Sequence, residues 1–228
     1  MSNRVKRSQP SRAVQRRQQA AAVQSAQRWG TWAAGAAGLV ILAVIALFVF
    51  GGGGSDDAGD DAISFNGVGL PALTDGPDPA VGVKAPLFVT TDIATGERVV
   101  VGGGGGPNDT AKVILFAAHW CPVCQEEIPV VADWLNANDL PEGVEVVAVS
   151  TFPDSTRANH PPADWFTGVD WPYPVMVDDA NGAILSMFGM TRVPSWVVID
   201  DQNFVVARVS GALGADGVDA LVNLAAES

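Results

Sequence analysis

Residues 112–129 read KVILFAAHWCPVCQEEIP, and this stretch decides the fold of the chain. Its first six residues form a nearly continuous apolar run, which is typical of a β-strand covered on both faces. A helix is predicted to follow over residues 122–138, because Pro122 fits the first helical turn, where its missing N–H costs nothing. The two cysteines of the chain, Cys121 and Cys124, lie at the start of that helix. The stretch therefore predicts a buried strand, a short turn and a helix that begins with a Cys-x-x-Cys pair.

The position of the two cysteines favours thiol–disulfide chemistry. Cys121 is placed at the helix N-terminus, where unpaired N–H groups and the helix dipole favour a thiolate. Cys124 follows one turn later on the same face, close enough to form a small disulfide ring. In this arrangement the Cys121 thiolate attacks a substrate disulfide, and Cys124 then resolves the mixed disulfide. We predict that Cys121 and Cys124 are the redox-active pair.

Three other uses of a cysteine pair stay open on the residues alone. A zinc site needs about four ligands, and besides Cys121 and Cys124 the chain offers only His119 and His160 as sulfur or nitrogen ligands. We therefore predict no metal and no other cofactor. A purely structural disulfide would close so short a loop that it would stabilise little. A peroxiredoxin would carry a threonine three residues before its cysteine, where this chain has Ala118.

The aromatic residues near the pair are interpreted individually. His119 is expected to be a partly exposed neighbour, although its ring would tune the Cys121 thiolate if it faced the site. Trp120 is expected to pack beside the disulfide and to contact substrate. Trp196 is a candidate contact in a substrate groove. Core or rim positions are expected for three further tryptophans, Trp134, Trp165 and Trp171.

Charge and hydropathy divide the N-terminal part of the chain into three pieces. Residues 1–29 carry seven of the 13 Lys/Arg residues and no Asp or Glu. Residues 30–50, GTWAAGAAGLVILAVIALFVF, have no charge, and as a helix they would span about 30 Å, the thickness of a hydrocarbon core. Residues 51–83 begin with the flexible, self-repelling linker GGGGSDDAGDD and continue as an extended lead-in. We predict a basic tail, one transmembrane anchor and a linker before a domain at residues 84–228.

The distribution of charge also predicts an orientation in the membrane. Because the basic residues precede the span and none closely follows it, the positive-inside rule places the N-terminus in the cytoplasm and the domain outside. A cleaved signal peptide is the alternative, but its apolar region would normally be about 7–15 residues with an Ala-x-Ala-like site. The other six Lys/Arg residues stand against all 25 Asp/Glu residues, a net charge of −19. This acidity argues against nucleic-acid binding.

Strand and helix patterns after residue 84 predict an α/β domain. Strands are predicted at residues 87–89, 98–101, 112–117, 145–150, 174–177, 195–199 and 204–209. Helices are predicted at residues 122–138, 163–168, 183–188 and 216–226. The first two and the last two strands form hairpins, whereas central strands separated by helices imply a partly parallel sheet with helices on both faces. The glycine-rich stretch 102–106 is interpreted as a surface loop, since a phosphate-binding loop would lead into a helix.

The sequence around the cysteines resembles the thioredoxin superfamily, and within it the membrane-anchored TlpA/ResA-like thiol–disulfide oxidoreductases. Residues 120–129, WCPVCQEEIP, fit that group's W-C-x-x-C-x-x-E-x-P pattern, with Pro129 at the position that kinks the active-site helix. Residues 173–211 resemble the second half of the family, in which a strand precedes a helix and then a hairpin. The resemblance covers about residues 84–224. It implies a thioredoxin-like central mixed sheet flanked by helices, with an added N-terminal β-hairpin.

The resemblance also assigns roles to individual residues. Pro194 falls in the group's cis-proline loop and would face the disulfide, and Val193 would offer backbone hydrogen bonds to an extended substrate. Glu127 stands at the group's glutamate, where a partly buried carboxylate would exchange a proton with Cys124. The alternative for Glu127 is a solvated surface residue like Glu126.

Two positions depart from the family pattern. Leu115 stands where many thioredoxins carry a buried acid, and Ala117 replaces an aromatic residue near the site. Both departures bear on the redox potential that the family pattern would imply, and neither changes the predicted fold.

The function implied by the resemblance is disulfide exchange with extracytoplasmic protein partners. The leading expectation is a reductase, with cytochrome c maturation as one role, that draws electrons from a transmembrane donor. A disulfide-introducing oxidase is the alternative. A Cys-Pro-x-Cys pair, with Leu115 in place of the buried acid, is compatible with an oxidising reduction potential. A non-catalytic interaction module on the same fold is the third interpretation. The intact residues Cys121, Cys124, Glu127 and Pro194 argue against it.

Overall fold

The computed structural model describes residues 63–102 and 110–228. The predicted basic tail, the apolar span at residues 30–50, the start of the linker and the glycine-rich stretch at 103–106 lie outside these residues. Within the described part of the chain, no helix is both long and apolar enough to cross a membrane. The described residues comprise the predicted α/β domain and the last part of its lead-in.

A three-stranded antiparallel sheet comes first along the chain. Its strands are β1 (Ser64–Asn66), β2 (Leu87–Thr91) and β3 (Arg98–Val101), in that spatial order. β2 and β3 form the predicted hairpin, and Asp92 closes its turn, because Asp92 Oδ1 accepts hydrogen bonds from the Ala94 and Thr95 N–H groups at 2.9 and 2.8 Å. β1 is not predicted from the sequence, since all its residues are exposed and lack the apolar alternation of a half-buried strand.

The centre of the domain is a five-stranded mixed sheet. Its strands are β4 (Ala111–Ala117), β5 (Val144–Ser150), β6 (Val175–Val177), β7 (Ser195–Ile199) and β8 (Val205–Ser210). They lie in the order β6-β5-β4-β7-β8. β5 runs parallel to β4 and to β6, whereas β7 is antiparallel to β4 and to β8. The predicted partly parallel sheet and the second predicted hairpin are therefore confirmed.

Helices cover both faces of this sheet, and their ends agree with the predicted ends to within two residues. They are α1 (Pro122–Ala137), α2 (Pro162–Gly168), α3 (Ala183–Met187) and α4 (Gly214–Ala226). Alternate residues of β4 pack on opposite sides. Val113 and Leu115 join an apolar cluster with α1 and α4, whereas Ile114 and Phe116 join a second cluster with α3. This burial on both faces explains the continuous apolar run that predicts the strand.

The lead-in before β2 is fastened to the main sheet by a buried arginine of β8. The Arg208 side chain is completely buried and pairs with Asp78 through two hydrogen bonds, one of them 3.0 Å between Nε and Oδ2. Arg208 Nη1 also donates to the carbonyl oxygens of Pro71 and Phe188, at 2.8 and 2.6 Å. Gly189 lets these groups meet, because a Cβ there would lie 2.3 Å from the Pro71 oxygen. The last part of the lead-in is thus held against the domain by an ion pair that no sequence pattern indicates.

Replacing Asp78 by asparagine will destabilise the fold, because the buried Arg208 charge loses its counter-ion. We expect a loss of about 3–5 kcal/mol in the free energy of unfolding at neutral pH, measured by urea denaturation. The hydrogen bond from Arg208 holds the pKa of Asp78 below its usual value, so the ionised carboxylate stabilises the folded state. This contribution is fully present above the ordinary carboxyl pKa of about 3.9 and is lost as the pH falls through the lowered pKa of the folded state.

Asp75→Asn is the matched control for that substitution, because Asp75 is an exposed aspartate three residues earlier in the same lead-in. We expect Asp75→Asn to stay within about 0.5 kcal/mol of the native protein in the free energy of unfolding. An equal loss of stability in the two variants would contradict the structural role of the Asp78–Arg208 pair.

Candidate active site

The two cysteines lie where β4 gives way to α1. Cys121 is the N-cap residue of α1, with φ −73° and ψ 121°, and Pro122 begins the helix. The Cys121 N–H donates to the Ala118 carbonyl at 3.0 Å, which closes the turn between strand and helix. Both thiols are free in the structure; Cys121 is 8% exposed, and Cys124 is completely buried. The helix N-terminus therefore presents Cys121, and not Cys124, to the surface.

Burial makes the Cys124 thiol a much weaker acid than an ordinary cysteine. The pKa of Cys124 is raised well above its usual value, mainly because burial penalises the thiolate. A hydrogen bond with Cys121 and the negative charges of Cys121 and Glu127 raise this pKa further, while a backbone hydrogen bond at Ala118 lowers it. Cys124 is therefore held as a protonated thiol at neutral pH.

The loop before β7 meets Cys121. The Val193–Pro194 peptide bond is cis, and Cys121 Sγ lies 3.7 Å from the Val193 carbonyl oxygen, within hydrogen-bonding distance for sulfur. The Pro194 carbonyl accepts a hydrogen bond from the Gly211 N–H at 2.9 Å, which ties the loop to the end of β8. The structure thus brings Cys121, Val193 and Pro194 together, although 72 residues separate the cysteine from Val193 along the chain.

Glu127 is buried and caps the N-terminus of α4. The residue is 5% exposed. Its Oε1 accepts hydrogen bonds from the Leu213 and Gly214 N–H groups at 2.7 and 3.1 Å. The first N–H groups of a helix have no partner within it, and Leu213, at the N-cap of α4, makes no side-chain cap of its own. The alternative of a solvated glutamate is therefore wrong, because the carboxylate of Glu127 links α1 to α4.

His119 is completely buried, so the expectation of a partly exposed residue is wrong. Its ring contacts the loop between β5 and α2, where Nδ1 lies 2.7 Å from the Ala158 carbonyl oxygen and Nε2 accepts from the Asp154 N–H at 3.2 Å. The His119 carbonyl accepts a further hydrogen bond from Asn159 Nδ2 at 3.1 Å. Because both ring nitrogens bind this loop, His119 joins the loop to the turn before the cysteines and is not aimed at the thiolate.

Trp120 and Trp196 have different environments. Trp120 is half-buried next to Cys121, its Nε1 donates to the Phe152 carbonyl at 2.8 Å, and the Arg157 guanidinium stacks 4.8 Å from its ring. Trp196 is completely buried in β7, so its interpretation as a groove contact is wrong. The reason is that β7 lies inside the sheet, between β4 and β8. Sequence reasoning missed Arg157, since no local pattern indicates that it reaches Trp120. The core or rim positions expected for the other tryptophans are confirmed, because Trp165 and Trp171 are buried in an apolar cluster and Trp134 packs, partly buried, against it.

Position 115, in the core next to the site, is occupied by a leucine and not by an acidic residue. Leu115 is completely buried and pairs with Trp196 across the β4–β7 ladder. Ala117, also completely buried, ends the strand just before the turn. Among the described residues, no three His, Cys, Asp or Glu side chains come together as a metal site.

A groove of about 570 Å³ opens beside the two cysteines. It is lined by three segments and by one residue of the cysteine motif: the lead-in at residues 73–78, the loop at residues 190–194, the end of β8 and Val123. The lead-in was not among the predicted site residues, because its place beside the loop depends on the Arg208 anchor rather than on local sequence.

Comparisons with known proteins support this fold and identify the family. The Redoxin family profile matches residues 80–221, which is more than half of the chain. The chain is also similar to thiol–disulfide oxidoreductases named ResA from Bacillus thuringiensis and Bacillus cereus; each is 25% identical over 131 residues, 58% of this chain and 70% of the relative. A solved thioredoxin domain of a thiol–disulfide oxidoreductase from Bacteroides vulgatus is similar in fold, with a TM-score of 0.50, 17% identity and coverage of 64% of this chain and 98% of that domain.

The matched region contains the central sheet, the cysteine pair and the Val193–Pro194 loop. The chain therefore belongs to the Redoxin family, and within the thioredoxin superfamily it is a TlpA/ResA-like oxidoreductase.

Proposed function

We propose that this thioredoxin-like oxidoreductase exchanges disulfides with partner proteins through Cys121 and Cys124. The observation that carries the proposal is the unequal burial of the two thiols at the N-terminus of α1. Cys121 is 8% exposed and lies against the Val193 carbonyl, whereas Cys124 is completely buried. Of the two, only Cys121 offers exposed surface to a partner sulfur. The name of the ResA relatives, thiol–disulfide oxidoreductase, supports the same chemistry.

In the reducing direction the reaction consists of two exchanges. The Cys121 thiolate attacks one sulfur of the partner disulfide, the partner S–S bond breaks, and the other partner sulfur leaves as a thiolate. Cys124 then loses its proton and attacks Cys121 Sγ, so that the mixed disulfide breaks and the second partner thiolate is released. The partner gains two electrons, each of its thiolates takes up a proton, and the protein retains a Cys121–Cys124 disulfide.

The residues around Cys121 are proposed to bind the partner. The helix N-terminus favours negative charge on Cys121 during attack. Val193 would offer its backbone to an extended partner segment, Pro194 would face the disulfide, and Trp120 would contact the partner. The roles of Val193 and Pro194 follow the family resemblance, and the 3.7 Å distance from the Val193 carbonyl oxygen to Cys121 Sγ supports that of Val193.

Glu127 is proposed to receive the Cys124 proton before the second exchange. A base is needed because burial keeps Cys124 protonated, and Glu127 is a carboxylate whose charge acts on that thiol. Its hydrogen bonds to Leu213 and Gly214 hold the carboxylate at a fixed place.

Two substitutions of Glu127 will separate its structural and chemical roles. Glu127→Ala will lose about 1–2 kcal/mol in the free energy of unfolding, the usual effect of removing a helix cap. Glu127→Gln keeps a side-chain oxygen for the same N–H groups, so it will lose less stability, but it will slow resolution of a mixed disulfide in stopped-flow measurements. Glu126→Ala, at the exposed neighbour, is the control and will change neither quantity. Resolution as fast in Glu127→Gln as in this control would contradict the proton role.

The proposed location is outside the cytoplasm, on a domain held by one membrane span. The basic residues 1–29 and the apolar residues 30–50 support this topology through the positive-inside rule. After reduction, a membrane-impermeant thiol reagent should label Cys121 in intact cells stripped of outer layers. Protection of Cys121 until the membrane is broken would contradict this location.

Reduction is the proposed direction of electron flow in the cell. It is supported by the resemblance to TlpA/ResA-like proteins, which also implies a transmembrane electron donor and cytochrome c maturation as one role. An oxidase that introduces disulfides is the second candidate. Leu115, which is buried, stands where many thioredoxins carry a buried acid, and a site without that acid is compatible with an oxidising reduction potential.

Trapping will test the exchange itself. Cys124→Ser should accumulate partners bound to Cys121, because no second thiol can resolve the mixed disulfide. These adducts should disappear on reduction and be absent in Cys121→Ser, both read from non-reducing gels and mass spectrometry. Failure of Cys124→Ser to capture any partner would count against disulfide exchange.

The reduction potential of the Cys121–Cys124 pair will distinguish a reductase from an oxidase. We expect a value well below about −200 mV, which suits a reductase, from equilibration of the full-length protein with glutathione or dithiothreitol buffers. A value of about −120 to −180 mV would favour the oxidase instead.

A further inference from the structure

We propose that the lead-in at residues 73–78 is part of the partner-binding groove and selects partner segments by the charge next to their reacting cysteine. The occupant is an extended segment of a partner protein that carries this cysteine. The inference rests on the proposed disulfide exchange and adds to it the surface that recognises the partner.

The groove is continuous with the redox pair. Val193, whose carbonyl oxygen lies 3.7 Å from Cys121 Sγ, lines the groove together with Pro194. Val123, between the two cysteines, lines it as well and is 45% exposed. A partner segment joined to Cys121 through a disulfide therefore has the groove directly beside it, and residues next to the partner cysteine lie within it.

The lead-in lines this groove as a fixed part of the fold. At one end the Leu73 N–H donates to the Gly189 carbonyl at 3.0 Å. At the other end Asp78 is paired with the completely buried Arg208. Between these two anchors, residues 74–76 are exposed and line the groove. A partner segment would therefore meet a surface whose position is set before binding, which lowers the entropy cost of recognition.

Two exposed charges of opposite sign line the groove. Asp75 belongs to the lead-in, and Arg192 belongs to the loop before Pro194. The Asp78–Arg208 pair is internally neutral, so Asp75 and Arg192 are the charges that a partner segment would meet. Arg192 is one of only six basic residues after residue 50 in the sequence, against 25 acidic ones. A cation is thus placed at the groove in a domain that is otherwise strongly acidic, which favours discrimination by charge.

Charge reversal in the full-length protein tests this recognition. The probes are two peptide disulfides that differ only in a lysine or a glutamate next to the cysteine, and the neutral hydroxyethyl disulfide. Asp75→Arg should lower kcat/KM about twofold to fivefold for the lysine peptide and raise it for the glutamate peptide. Arg192→Glu should have the opposite effect: it should raise kcat/KM for the lysine peptide and lower it for the glutamate peptide. Each variant should change the rate with hydroxyethyl disulfide less than it changes the peptide rates, and Asp75→Arg should leave the reduction potential unchanged.

Asp201→Arg is the matched control, because it makes the same charge change at an exposed position in the β7–β8 turn, outside the groove. Peptide rates that respond to Asp75→Arg no more than to Asp201→Arg would overturn the inference. A shift of the reduction potential in Asp75→Arg would also overturn it, because the effect would then act on the redox pair. If the native protein fails to react even with hydroxyethyl disulfide, the proposed exchange itself fails, and this inference fails with it.

Discussion

Residues 113–117 of β4 are completely buried between two apolar clusters, and the positions of the neighbouring elements follow from this strand. The chain leaves β4 at Ala117 and turns at once into α1, so the N-terminus of α1 lies at the end of the sheet. The antiparallel partner β7 begins at the same place, because Phe116 pairs with Ser195. Pro194 therefore comes next to the turn that carries Cys121. One strand pairing thus brings together two parts of the site that are far apart in sequence.

Buried charged side chains hold the loops that surround this site. Glu127 binds the first N–H groups of α4, and Arg208 binds the lead-in. Asp178 has a similar place at the start of α3: its Oδ1 accepts the Ile184 N–H at 2.8 Å, and its Oδ2 accepts the Thr151 hydroxyl at 2.7 Å. Burial raises the pKa of Asp178, and its hydrogen bonds oppose that rise. Each of these side chains binds backbone N–H or carbonyl groups that have no hydrogen-bond partner within their own helix or loop. These hydrogen bonds offset the cost of burying the charge.

The two cysteines differ in burial because Cys121 is the N-cap at the end of α1, whereas Cys124 lies one turn inside the helix. The Cys121 carbonyl accepts the first helical hydrogen bond, from the Gln125 N–H at 3.0 Å, and the residue keeps 8% of its surface exposed. Cys124 is one turn further and packs into the apolar cluster below α1. A single Cys-x-x-Cys spacing therefore yields one cysteine that is slightly exposed and one that is completely buried, and this asymmetry underlies the order of steps in the proposed exchange.

The sequence by itself determined the features that depend on local backbone and on the period of apolar residues. The strand before Cys121, the helix that begins at Pro122, the two hairpins and the mixed sheet were all predictable, because each leaves a pattern within a short stretch of chain. β1 was not, because three exposed residues leave no such pattern.

Only the tertiary structure decided which distant groups meet. Glu127 binds Leu213, 86 residues further along the chain; His119 is covered by the loop that holds Asp154 and Ala158; and Arg208 binds Asp78. Trp196 is buried because its strand has neighbours on both sides. None of these contacts leaves a periodic pattern in the sequence, since each depends on how packed elements bring together side chains and backbone groups that are remote along the chain.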